Sequence, residues 1–113
     1  MPRNISFFLT TQQIRDRTKT VTRRLGWNFL KAGDVLNACV KCQGLGKGGK
    51  IEKICQIRIV SVRKEVIYTI TKEDVIKEGF PDYEIWQFIE MFMKHMNCKF
   101  SDTIVNRIEF EYI

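Results

Sequence analysis

The chain has 113 residues, 44% of them hydrophobic, and a net charge of +6. That length supports one modest core, so a single domain over residues 1–113 is expected and two independent cores are excluded. No apolar run approaches the roughly 18 residues that span a bilayer, and the start MPRNISFF lacks a signal-peptide pattern, so a cytoplasmic chain with no membrane partner is expected.

The charge is unevenly divided. Residues 1–64 carry fourteen Lys and Arg against three acids, a net +11, whereas residues 65–113 carry five against ten, a net −5. A basic half facing a polyanion such as phosphate accounts for this, and so does a solvated face. The cations concentrate between Arg15 and Arg24, where Arg15, Arg17, Lys19, Arg23 and Arg24 are interspersed with Thr18, Thr20 and Thr22. Five cations and three threonines in ten positions form no hydrophobic face, so the segment is expected to line a polar site.

In chain order, Ile5 to Leu9 is a short apolar run that predicts a buried strand. Thr10 and Gln13 form a capping-box pattern, which predicts a short helix carrying Gln12 to Arg17. The Val and Thr residues that follow favour an extended chain. A turn at Ala32-Gly33-Asp34 launches a strand to about Val40, and a glycine-rich loop through Lys41, Lys47 and Lys50 comes after it. Lys53 to Arg63 reads as a strand and Val66 to Ile70 as a second extended piece that continues it or folds back beside it. Thr71 caps a helix with Glu73 and Asp74 in its first turn, where negative charge meets the positive end of the helix dipole. Gly79 ends it and Pro81 prevents its continuation.

Asp82 is the expected cap of a helix from Tyr83 to about Asn97, in which Ile85, Phe88, Ile89, Phe92, Met93 and Met96 recur at core-facing spacing. Thr103 to Ile113 reads as a half-buried strand, with Ile104, Ile108, Phe110 and Tyr112 on one face and Val105, Arg107, Glu109 and Glu111 on the other. Five or six short strands with two or three helices predict an α+β fold, a small curled mixed or antiparallel sheet closing toward a barrel with helices at its flank.

The succession ISFF, RDRTKTVTRR, LKAGDVL, a capped helix ending KEGFP, and RIEFEYI resembles the ASCH family of small PUA-like barrels along nearly the whole chain. Within that family it resembles the small bacterial amidohydrolases that remove the acetyl group from acetylated cytidine. Their working residues are a lysine and a threonine in a G-R-K-T-x-T type segment, and a glutamate seven residues after the threonine that starts the next helix. The resemblance places Lys19, Thr22 and Glu78 in these roles. It also implies binding of RNA or of a nucleoside or nucleotide, because other members look like RNA binders or ribonucleases. Arg23 stands where the relatives carry an apolar residue, the segment around Trp27 differs, and Cys39 to Lys50 looks like an insertion.

Chemically, a lysine surrounded by Arg15, Arg17, Arg23 and Arg24 is disfavoured as a cation, which suits a base or nucleophile. Thr22 could donate to a developing oxyanion and Glu78 could carry a proton to the leaving amine. Lys19 and Thr22 are three apart, so they converge only if the chain bends between them. The same cluster serves binding without chemistry: Arg15, Arg17, Arg23, Arg24 and Lys41 would hold phosphate, and Trp27 would stack on a base or be a core or rim residue. Binding demands less precise placement than catalysis, so recognition of RNA or a modified nucleoside is expected ahead of hydrolysis. The reading requires no cofactor. Cys39-x2-Cys42 and His95-x2-Cys98 are nevertheless candidate ligands for a structural zinc, with buried or idle thiols as the alternative.

Overall fold

The computed structural model describes residues 2–42 and 49–113. Its elements are β1 (Arg3–Ser6), α1 (Thr11–Arg15), β2 (Val21–Arg24), β3 (Val35–Cys39), β4 (Lys53–Val66), α2 (Lys72–Lys77), α3 (Ile85–His95) and β5 (Ile104–Tyr112), with a short 3-10 turn at Ile67–Thr69. The strands form one sheet in the order β1-β3-β4-β5-β2, with β1 parallel to β3 and the other pairs antiparallel. β1 and β2 are its edges, yet the Arg24 guanidinium on β2 donates to the Ser6 carbonyl on β1. The sheet therefore curls until its two edges are one side chain apart, a half-barrel with three helices. The expected α+β barrel-like architecture is the one observed.

Two hydrophobic clusters follow from this curl, one on each side of the sheet, whereas the length alone predicts a single core. Ile5, Phe7, Ile14, Leu36, Ile57 and Phe110 belong to the cluster inside the sheet, and Ile67, Ile70, Val75, Phe88, Phe92 and Val105 form the cluster under the helices. Val105 and Ile108 come from the same strand and enter different clusters. β5 is thus covered on both faces, not one. The predicted face assignment holds along it, but Val105 and Arg107 are buried and Ile104 is exposed.

Local chemistry sets the helix ends. Asp74 N donates to Thr71 Oγ1 at 3.2 Å, the expected cap of α2. Gly79 leaves that helix at φ +101°, and a Cβ there would stand 2.8 Å from Gln13 Cγ, so the close approach of α1 requires glycine.

Several boundaries differ from expectation. Gln13 makes no capping box; its Nε2 donates to the Gly79 carbonyl at 3.1 Å, and docking outweighs capping. β1 stops at Ser6, leaving Phe8 and Leu9 exposed. Val66 to Ile70 is the end of β4 followed by the 3-10 turn rather than a further strand. Glu84, not Asp82, caps α3, through a capping box with Gln87. The glycine-rich loop lies largely outside the described residues, at 43–48. Among the described residues, no helix is long and apolar enough to cross a membrane.

Candidate active site

Lys19 reaches the interior because the chain before β2 is bent. α1 ends at Arg15, Arg17 adopts φ +61°, and Thr18 N donates to the Gln13 carbonyl at 2.9 Å. Thr20 N then bonds the Lys77 carbonyl at 2.9 Å, and strand pairing begins only at Val21. The bend required for Lys19 and Thr22 to share a side is therefore present. Lys19 is 3% exposed, and its Nζ donates to Glu78 Oε1 at 2.8 Å and to the Glu78 carbonyl at 2.7 Å. Tyr112 OH donates to the Lys19 carbonyl at 2.5 Å, fixing the backbone behind the amine.

The other Glu78 oxygen belongs to Arg23, whose NH1 lies 3.1 Å from Oε2. Arg23 also pairs with Asp74 and, at 2.5 Å, with Glu65, while Asp74 takes Arg107 Nε at 2.7 Å. Lys19, Arg23 and Arg107 are thus set against Glu65, Asp74 and Glu78 in one largely buried network. Among the described residues, no buried side-chain nitrogen or oxygen lacks a hydrogen-bond partner. This is the condition for burying so many charges.

Burial shifts these groups in opposite ways. Desolvation holds the Lys19 ammonium below its ordinary value, and Arg24 and Arg23 add to that, against the Glu78 carboxylate, which raises it. For Asp74, burial would raise the carboxyl, but Arg107 and Arg23 outweigh it and hold the group well below the usual carboxylate range. Burial opposes the Arg23 charge as well, yet its bond to Asp74 and the charges of Glu78 and Glu65 carry the net shift upward. Burial pushes Tyr112 up to about 12, so its hydroxyl remains a donor to Lys19 at neutral pH.

Lys19, Thr22, Arg23, Arg24 and Glu78 line a cavity of about 300 Å³. Its apolar wall comes from Phe8, Phe80, Phe88, Phe92 and Met91, while Ser6, Thr10 and His95 add polar atoms. A small concave site with a few convergent polar groups on an aromatic wall suits a planar ligand that also makes directional hydrogen bonds.

The cations expected to hold phosphate are dispersed. Arg23 is a correction: its side chain is 0% exposed and its donors go to three carboxylates, so it is part of the buried network. Arg15 pairs on the surface with Glu52, and Arg17 lies 5.4 Å from the Tyr112 ring centroid. Trp27 packs against the inner core beside Phe29 and lies outside the cavity lining, the rim alternative for that residue. Lys41 stands 5.3 Å from the ring of Phe8, which lines the cavity. Of the four candidate zinc ligands, Cys39 is buried and pushed up to about 11 by burial first and neighbouring Cys42 second, His95 lines the cavity, and Cys98 packs on the outer core. Among the described residues, no three His, Cys, Asp or Glu side chains gather as a metal site.

Glu65, Asp74 and Arg107 were not legible as site residues. Asp74 fits the helix-dipole rule at its position, which conceals its second use. A signal did exist at Arg107, a cation between Val105 and Ile108 in a strand otherwise suited to burial.

No family model matches the chain, and no curated protein matches it. Solved structures do. Protein EF3133 from Enterococcus faecalis V583, of the DUF984 family model, superimposes with a TM-score of 0.72 at 17% identity, over 100% of this chain and 80% of that one. Hypothetical protein PH0355 gives 0.65 at 17% identity over 100% of both chains. These likenesses, with the half-barrel topology, show the fold of a small α+β half-barrel. An ASCH domain from Lactobacillus crispatus JV V101 gives 0.61 at 16% identity, over 97% of this chain and 78% of that one. The chain has the ASCH-domain fold.

Proposed function

We propose that the cavity binds a modified nucleoside and hydrolyses an amide on its base, with acetylated cytidine as the substrate the residues suit best. The observation that carries this is the Lys19–Glu78 pair, 2.8 Å apart and buried at the wall of an aromatic cavity that Thr22 shares. A lysine whose charge is disfavoured by burial has a free amine more often than a surface lysine, which is what a base requires. Water adds its oxygen to the acetyl carbon and gives a proton to the Lys19 amine. Thr22 donates to the resulting oxyanion. The carbon–nitrogen bond then breaks as Glu78 relays a proton to the departing base nitrogen, giving acetate and cytidine. The aromatic side chains offer faces on which the base can stack.

Incubation with acetylated cytidine, followed by chromatography of the nucleoside, is the test. Cytidine formed in proportion to enzyme supports the reading, and its absence at stoichiometric enzyme defeats the hydrolytic step. RNA binding without chemistry is the second reading. The ASCH-type fold and the basic first half favour it, and binding that weakens steeply with salt would support it.

A further inference from the structure

Lys19 and Arg23 enter the cavity wall already paired with carboxylates, whereas Arg24 does not. Among the described residues Arg24 makes no ion pair. Its guanidinium donates to the Ser6 carbonyl and, from Nε at 3.4 Å, to Thr22 Oγ1, and it lies 4.9 Å from the Phe7 ring centroid. Burial lowers it to about 10, which leaves it a cation at neutral pH. Glu78 is the one carboxylate in the described lining, and both its oxygens are engaged by Lys19 and Arg23. The charge left uncommitted in the cavity is therefore positive. Lys41 adds to it over the exposed ring of Phe8, which lines the cavity. A partly desolvated cation without a counterion gains when an anion takes the place of lost water.

We infer that the ligand carries a phosphate, held by Arg24 with Lys41, so that the cavity takes a nucleotide, free or within an RNA strand, in preference to a neutral nucleoside. Arginine offers a planar fork that matches phosphate oxygens, and lysine offers a point charge over the Phe8 ring. The inference rests on the nucleoside reading above, but it concerns binding rather than hydrolysis, so the two can fail separately.

The test is calorimetric titration of the full chain with cytidine, with cytidine monophosphate and with a short oligocytidylate lacking terminal phosphates, at low and moderate salt. Cytidine monophosphate should bind at least about tenfold more tightly than cytidine, as a charge-assisted contact implies. The ratio should shrink with salt and fall in both Arg24→Gln and Lys41→Gln, the second a half-buried residue over the Phe8 ring and outside the cavity lining. Tight binding of the oligonucleotide assigns the phosphate to a strand; binding of the monophosphate alone assigns it to a free nucleotide. Equal affinity for cytidine and its monophosphate, or a preference unchanged in both variants, overturns the inference while leaving hydrolysis standing. No binding of any of the three overturns it as well. Phosphate-selective binding without release of cytidine from the acetylated compound overturns only the hydrolytic reading.

Discussion

Glu78 joins two cations through different oxygens: Oε1 lies 2.8 Å from Lys19 Nζ and Oε2 lies 3.1 Å from Arg23 NH1. The consequence is an asymmetry in stability. Glu78→Leu leaves the buried Lys19 ammonium without a carboxylate and should cost about 3–5 kcal/mol, the range for breaking a buried pair. Lys19→Met leaves Glu78 bonded to Arg23 and should cost less. Urea denaturation of the two variants measures this, and a larger loss in Lys19→Met would contradict the assigned pairing.

The lowered Lys19 predicts a pH–rate profile. Hydrolysis by its free amine should rise with pH and level off below 10.5, the value of an ordinary lysine. The rising limb should disappear from the residual activity of Lys19→Arg. A wild-type profile flat from neutral to alkaline pH would remove Lys19 as the base.

Asp74 predicts acid sensitivity. Its folded pKa lies below the ordinary 3.8, so between these values the unfolded chain binds more protons than the folded one. Stability from this group is present above about 3.8 and is lost as pH falls toward the folded value. Asp74→Asn should be less stable at neutral pH and should lose less on acidification. Melting curves from pH 6 to 2 that run parallel for the two proteins would contradict this.

Gly79 predicts a steric effect on the site. Gly79→Ala places a Cβ against Gln13 at a φ of +101°, and the strain should cost about 1–3 kcal/mol. Because Gly79 follows Glu78 directly, turnover should fall along with stability. Wild-type melting and turnover would show that the turn tolerates the side chain.

The legible parts of the fold were those that local rules decide. Thr71 caps α2, Gly79 ends it, and the alternation in β5 assigns its two faces as observed. What local rules could not give is which charges meet across the sheet. Arg23, Asp74 and Arg107 come from three different elements, and their pairing arises only when β5 lies beside β2 with α2 across them. The charge asymmetry between the two halves has the same origin in part: Lys19 and Arg23 of the basic half are neutralised by Glu65, Asp74 and Glu78 of the acidic half. A reading of the sequence that assigned Arg23 to phosphate missed internal partners more than 40 positions away. Gln13 failed as a cap for the same reason, since Gly79 lies 66 positions distant.

The most direct test of the central claim is turnover of acetylated cytidine by wild type, Lys19→Ala and Glu78→Gln, with circular dichroism on each. Wild type should release cytidine, and both variants should lose at least about 100-fold in rate, the lower bound for a positioned acid–base group, while retaining the fold. Folded variants that release cytidine at the wild-type rate would contradict the claim that Lys19 and Glu78 perform the chemistry.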